Sequence, residues 1–395
     1  MYYISVGDTM KRIINIVFVI NIFFVFLIGF IYSVFKEKDI NEYENRVAYR
    51  YELPTINNVL NKKFQDNVEL TLADQIPFSI DMKKTYNTFN SYYINSFSNL
   101  FFKNVCSNKY IYIKEGVNTF GCDGVLVYLQ DNIESRSNKL QNRIDDINKV
   151  ISEDVANVYV YYIERDRDID FESNEKLNMI DILKKGIKLE KIDNFEINNF
   201  DDYKKYFYKT DHHWNYQGSY KAYLELLELL DIGDEPLIPN QVINIDLEVN
   251  GSMARKIGKS SLYSEKFSYY EFKYPKYKVY ANGLEMDDYG SSLIKINEEI
   301  SMYNTLYGVD YGELILDFKQ SANENILLVG ESYDNAIIKL LGSHFNKIYS
   351  IDLRYYENQN NQKFDYKKYV EENDIDKILL IGNIDFFVES TFNLN

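Results

Sequence analysis

The chain has 395 residues, 46% of them hydrophobic, and a formal net charge of −16. That length suits two or three domains with a sizeable core, and the scarcity of proline (5) and glycine (17) argues against long low-complexity linkers. The acidic balance, with no basic stripe, argues against nucleic-acid binding and gives no polybasic dock onto anionic lipid.

From the N-terminus, "IINIVFVINIFFVFLIGFIYSVF" (13–35) is apolar except for Asn15, Asn21, Gly29 and Ser33. One bilayer crossing needs about 20 such residues, whereas a signal-peptide core is roughly 7–15 residues long and precedes a small-residue cleavage site, which is missing here. The segment reads as an uncleaved signal anchor, and a buried core helix suits it poorly at a terminus. Lys11 and Arg12 before it lean towards an N-terminus (1–12) in the cytoplasm. The lean is weak, because Lys36 and Lys38 follow the span among Glu37 and Asp39.

Residues 36–100 read as a polar stem and helical pieces punctuated by Pro54 and Pro77. Cys106 and Cys122 can form a disulfide if this region is extracytoplasmic; with no Cys or His beside them, a zinc site is not indicated. "YIYIKEGVNTFGCDGVLVYL" (110–129) alternates around Gly116, Gly121 and Gly124, predicting a strand, a turn and a strand. Residues 131–153 place Ile133, Leu140, Ile144, Ile147 and Val150 on one helical face, and 155–163 is a buried strand. A helix follows at 216–230, then an alternating stretch within 262–300 whose Asn282–Gly283 turn signals a β-hairpin insertion, part of a β-rich region at about 240–320. The last seventy residues alternate strand and helix: 325–330, 334–342, 347–353, 365–373 and 376–383. That pattern predicts a parallel sheet with crossover helices.

"NILLVGESYDNAI" puts Ser332 two residues past a buried strand and just before a helix, with Gly330 permitting a tight turn. Sites in open α/β sheets form at such carboxyl ends, and backbone N–H groups there can face a developing oxyanion. Serine needs a base. The chain has three histidines. His344 lies past the far end of the helix that Ser332 opens, which leaves His212 and His213 in "TDHHWNYQGSYKAY". In an extended segment, residues two apart face the same side, so Asp211 can hold the His213 imidazole while His212 makes structural hydrogen bonds. Asp211, His213 and Ser332 are the candidate triad. A metal site on Asp-His-His lacks a completing ligand nearby. Trp214 reads either as core packing or as a sugar-stacking platform.

The stretches "TDHHWNYQGSYKAY" and "LLVGESYDNAIIKLLGSHFNKIYSIDLRYY" together resemble the DHHW family of bacterial membrane-anchored proteins, which are similar to the SGNH-like domains of alginate O-acetyltransferases. The resemblance covers most of the chain, including "ENR" (44–46), "LADQIPF" (72–78), "CDGVLVYL" (122–129) and "YNTLYGVDYGELIL" (303–316). It implies an SGNH-hydrolase-like (flavodoxin-like) α/β/α fold over residues 101–395, with a permuted order in which Asp-x-His precedes the serine. Carried over by position, the triad is Asp211, His213 and Ser332, with Asn335 and Arg354 as oxyanion or substrate contacts. Where that family has Gly-Asp-Ser, this chain has Gly330-Glu331-Ser332. The implied activity is O-acylation of an extracytoplasmic, cell-envelope polysaccharide, without metal or cofactor, the acyl group being supplied by a multi-span membrane O-acyltransferase. The alternatives are a carbohydrate esterase on the same triad and a non-catalytic glycan-binding scaffold of polysaccharide export.

Overall fold

The computed structural model describes residues 6–35, 40–41, 46–47, 49–78, 109–121, 124–153, 155–248, 251–257, 265–290, 303–320, 323–360 and 362–388, with five single residues between 82 and 93. Cys106, Cys122 and Glu44 lie outside them. The chain divides into two compact units, Met1–Phe97 and Ser98–Asn395.

In the first unit, α1 (Val6–Phe35) contains a stretch, Met10–Tyr32, of mean hydropathy 2.8. It is long and apolar enough to cross a membrane. Thr55 caps α2 (Ile56–Leu60) in a reciprocal pair with Asn58, and α3 (Lys63–Gln75) follows. Pro54 immediately precedes that cap and Pro77 lies just beyond α3, where prolines interrupt no helical hydrogen bond.

The second unit opens with a three-stranded antiparallel meander, β1 (Tyr110–Lys114), β2 (Val117–Phe120) and β3 (Val125–Val127). Then follow α4 (Ser137–Ser152), β4 (Asn157–Ile163), α5 (Met179–Gly186), β5 (Ile192–Phe195), α6 (Phe200–Tyr206) and α7 (Tyr216–Leu229). A two-stranded ribbon, β6 (Gln241–Glu248) with β7 (Lys266–Glu271), encloses α8 (Ser252–Ile257) in sequence. The remainder is β8 (Lys278–Ala281), β9 (Leu284–Met286), α9 (Tyr303–Tyr307), β10 (Glu313–Asp317), β11 (Asn325–Val329), α10 (Ile338–Gly342), β12 (Lys347–Ile351), α11 (Leu353–Asn360), α12 (Tyr366–Glu372), β13 (Lys377–Gly382) and α13 (Ile384–Val388).

Eight strands form one mixed sheet in the order β9-β8-β10-β12-β11-β13-β4-β5. The five from β12 to β5 run parallel, whereas β10, β8 and β9 add to one edge antiparallel. The Asn282–Gly283 turn joins β8 to β9 with positive φ at both residues, which a two-residue hairpin turn requires. Within the 240–320 region, strands β8, β9 and β10 therefore extend the main sheet, and the β6–β7 ribbon stands outside it. Successive residues of the central strands feed opposite cores, as period-two geometry demands. Ile326, Leu328, Leu379 and Ile381 face α7 and α10. Leu327, Val329, Ile378 and Leu380 face α4, α5, α12 and α13. Burial on both faces explains why these strands read as unbroken apolar runs.

Candidate active site

Strand β11 ends at Val329, and Gly330-Glu331-Ser332-Tyr333 turns the chain over the sheet edge. Gly330 has no positive φ. A Cβ there would lie 2.9 Å from Ile381 Cγ2 and 3.0 Å from the Ile381 carbonyl oxygen, so glycine is needed for close approach to β13 rather than for an unusual turn. The Asp334 N–H donates to the Glu331 carbonyl oxygen at 2.9 Å, and the segment enters a 3₁₀ turn at 334–336 before α10. Ser332 is left half-buried.

The second half of the site is the loop between α6 and α7. Residues 209–213 are a series of bends rather than a strand, closed by a bridge between Phe207 and Trp214. Side chains and isolated backbone bonds hold it. The Glu265 carboxylate accepts from the Lys209 N–H at 2.8 Å, the Thr210 N–H at 2.8 Å and the Thr210 hydroxyl at 2.9 Å. The β3 residue Leu126 donates its N–H to the Lys209 carbonyl oxygen at 2.8 Å. A Cβ at Gly251 would stand 2.1 Å from the Thr210 carbonyl oxygen, so only glycine fits there.

This framework brings together three of the residues selected from the sequence. His213 Nε2 is 2.6 Å from Ser332 Oγ, and His213 Nδ1 is 2.6 Å from Asp211 Oδ1. With Asp211 accepting the Nδ1 proton, Nε2 is the acceptor for the serine hydroxyl. Asp211 also accepts from the His213 N–H at 3.0 Å and, through Oδ2, from the Ser252 N–H at 2.6 Å. Burial would push its carboxyl up, but the His213 imidazole and its hydrogen bond outweigh this and hold it well below the usual range.

The His212 ring lies beside that of His213, with centroids 4.0 Å apart, because the loop is bent and does not alternate sides. Its Nδ1 is 2.6 Å from the Ser252 hydroxyl. Burial, followed by the His213 imidazole beside it, keeps His212 well below the normal imidazole range. Asp211, His212 and His213 offer ligand-type atoms within 4.8 Å of one another, but the Asp211–His213 bond already occupies two of them. His344 bonds the Tyr223 hydroxyl at 2.7 Å and takes no part.

The remaining selections stand apart from this relay. Trp214 is 0% exposed and packs edge-on against Phe195 and Tyr333. It is core, with no face open to a sugar. Asn335 donates to Asp310 Oδ1 at 2.7 Å and accepts from the Tyr289 hydroxyl at 2.8 Å, so both ends of its amide are engaged in bracing the 308–310 loop. Arg354 grips Asp352 through Nε at 2.9 Å and Asp310 Oδ2 through Nη2 at 3.0 Å. Asp310 thus joins Asn335 to Arg354. It was missed in the sequence, although it stands inside "YNTLYGVDYGELIL".

Glu331 turns away from solvent. Its Oε1 accepts a long bond of 3.4 Å from the Asn383 N–H, and its Oε2 lies 4.0 Å from Arg354 Nη1. Burial pushes its carboxyl up to about 7. Tyr333 donates its hydroxyl to the His212 carbonyl oxygen at 2.5 Å, tying the serine turn to the histidine loop. Tyr303 lays its ring on His213 with centroids 3.9 Å apart and planes within 6°. No periodicity marked either tyrosine in a chain with 37 of them.

Neither a protein-family model nor a curated protein matches the sequence. Solved structures do match. A DHHW family protein from Eubacterium siraeum superposes with a TM-score of 0.55 at 16% identity, covering 71% of this chain and 94% of that one. Bacillus cereus PatB1, determined with a sulfonyl adduct, gives 0.53 at 16% identity, covering 70% and 96%. The chain has the fold of these two proteins, in keeping with the resemblance to DHHW proteins read from the sequence. The O-acetyltransferase domain of Pseudomonas putida AlgJ matches at a TM-score of 0.40 and 8% identity.

Proposed function

We propose that this chain is a membrane-anchored O-acetyltransferase that acts on an extracytoplasmic polysaccharide through an acyl-serine intermediate. The observation that carries the reading is the unbroken relay from Ser332 through His213 to Asp211, 2.6 Å at each step, at the carboxyl ends of parallel strands. Counted from β11, the strands β12-β11-β13-β4-β5 run 2-1-3-4-5, the flavodoxin-like order entered at its fourth strand. This supports the permuted SGNH-like reading. The order reverses between β11 and β13, where ligands bind in such sheets, and Ser332 follows β11.

In the first half-reaction, Ser332 Oγ attacks the acyl carbonyl while His213 Nε2 takes its proton. The oxyanion forms near the Ser332 N–H, which donates to no group among the described residues. Collapse expels the donor's leaving group with the proton from His213 and leaves the acyl ester on Ser332. A sugar hydroxyl then attacks this ester, His213 taking its proton, and serine is released with the proton returned. The Met10–Tyr32 segment supports an anchor, and Lys11 with Arg12 supports an N-terminus in the cytoplasm. Residues 36–100 would then be a stem and 101–395 the catalytic domain. The acyl donor would reach Ser332 from a multi-span membrane O-acyltransferase, and the acceptor would be a cell-envelope polysaccharide.

The test uses the full chain in detergent with p-nitrophenyl acetate, with and without an acceptor oligosaccharide, beside Ser332→Ala and His213→Ala. Nitrophenol release lost in both variants, with acetyl mass gained by the sugar, is expected. Release without sugar acetylation points to an esterase. Equal release from wild type and variants overturns the triad and moves the reading to a glycan-binding scaffold.

A further inference from the structure

The relay fixes the His213 imidazole at its two nitrogens, but two in-line hydrogen bonds leave the ring free to rock about the axis that joins them. Tyr303 supplies the missing constraint. Its ring lies parallel to the imidazole, 3.9 Å between centroids and 6° between planes, which is face-to-face contact rather than the offset or edge-on geometry of the neighbouring aromatic pairs. Tyr303 is itself locked. It is 4% exposed, lies 4.8 Å from Tyr307 and 6.4 Å from Tyr208, and donates its hydroxyl to the Tyr333 carbonyl oxygen at 3.4 Å.

We propose that Tyr303 is a positioning residue whose ring face, and not its hydroxyl, holds the plane of the His213 imidazole and favours its protonated form during proton transfer. A phenol face attracts a cation laid against it, and the attraction grows when water is excluded. The other groups facing the imidazole do not duplicate this. Asp211 meets Nδ1 and Ser332 meets Nε2. The His212 ring is tilted by 35°, and the Tyr333 ring stands 4.9 Å away, tilted by 52°. Behind it, Arg165 lies 3.4 Å from the Tyr333 hydroxyl and places a positive charge on that side, which makes a neutral aromatic face over His213 more valuable.

The inference rests on His213 being the base, so its test includes a readout that needs no turnover. Full-length Tyr303→Phe, Tyr303→Leu and Tyr303→Met are compared with wild type in detergent, after thermal melts have selected the folded variants. Leu and Met are expected to lower kcat for p-nitrophenyl acetate about tenfold, the size of a desolvated cation–ring contact, with little change in KM. The acid limb of kcat/KM against pH is expected to move down by about half a unit in both. The far-downfield proton resonance of the His213–Asp211 bond is expected to broaden in both. Phe is expected to retain most of the rate, the limb and the resonance. A Phe variant as impaired as Leu would show that the hydroxyl bond to Tyr333 matters instead, and Leu and Met variants unchanged in rate, limb and resonance would remove the ring's role; either overturns the proposal. If the resonance responds as expected while wild type turns over no acyl ester, the stack stands and the transferase reading falls.

Discussion

The two halves of the site are held by different means. The turn carrying Ser332 leaves a strand buried on both faces, and its Gly330 N–H still bonds the Ile351 carbonyl oxygen of β12. Sheet backbone fixes it. The loop carrying Asp211 and His213 belongs to no sheet or helix; it hangs from the Glu265 carboxylate, the Ser252 amide, the Leu126 and Ala254 backbone N–H groups, a close contact at Gly251 and one bridge at Trp214. In the proposed mechanism, a nucleophile mounted on a sheet tolerates change around it, whereas a base mounted on a loop depends on each support. The strongest way to break this contrast is at the base's own partner. Asp211→Asn cannot fix the tautomer in which Nε2 is the acceptor, and kcat for ester cleavage is expected to fall by roughly 10³–10⁴. A thermal melt close to that of wild type would locate the effect in catalysis, and retained turnover would show that the loop does not work through Asp211.

Next in size is Trp214→Ala. Removing a fully buried indole costs about 3–5 kcal/mol, here beneath the base, so chemical denaturation is expected to shift strongly. Trp214→Phe should recover much of the loss. If Trp214 instead stacked on a sugar, the Phe and Ala variants would differ in acceptor KM with little change in stability.

The glycines compare the two halves directly. At Gly251 the added methyl meets only backbone, 2.1 Å from the Thr210 carbonyl oxygen and 2.6 Å from the Asp211 nitrogen. At Gly330 it meets Ile381 Cγ2 at 2.9 Å, a side-chain atom, before any backbone. Overpacking typically costs about 1–3 kcal/mol. Gly251→Ala is expected at or above the top of that range with a large loss of activity, and Gly330→Ala nearer the bottom with a smaller one. The reverse ranking in denaturant midpoints and kcat would mean that the turn, not the loop, is the fragile half.

What could be read from the sequence follows the same division. The strands at 157–163, 325–329, 347–351 and 377–382 announce themselves because burial on both faces makes them continuous apolar runs. β5 was missed because "IDNF" is short and half polar, and β10 because its burial alternates inside a motif noted only for resemblance. The grouping of Ser332 with His213 was legible because serine chemistry needs a base and the chain has only three histidines. The pairing of Asp211 with His213 was right for a reason the structure changes: the segment is bent, not extended, and Asp211 also accepts the His213 backbone N–H. Burial makes Trp214 core, one of its two readings, and the partners of Asn335 and Arg354 could not be read because a motif gives neighbours in sequence, whereas the bridging carboxylate of Asp310 is set by a distant element.

The smallest effect is the one that separates two carboxyls, one in each half. Burial pushes both Glu331 and Glu265 up to about 7. A carboxyl raised on folding stays protonated in the native chain after the unfolded chain has lost its proton. Its contribution is therefore present below the unfolded value, near 4.5, and is lost as pH rises through about 7. The slope is at most about 1.4 kcal/mol per pH unit for each group. Wild type is expected to melt progressively lower from pH 5 to 7. Glu331→Gln and Glu265→Gln should each flatten that decline without removing it, since Asp168 is raised in the same way. Activity should tell them apart. Glutamine at 331 keeps an acceptor oxygen for its one long bond from the Asn383 N–H and should change kcat little. Glutamine at 265 keeps a single acceptor oxygen where the carboxylate serves three donors, setting an NH₂ against a backbone N–H of the loop that aims His213. A several-fold fall in kcat is expected for Glu265→Gln alone. Equal falls in both variants would mean that the negative charge beside Ser332 matters as much as the loop's supports, and the contrast between a sheet-held nucleophile and a loop-held base would have to be abandoned.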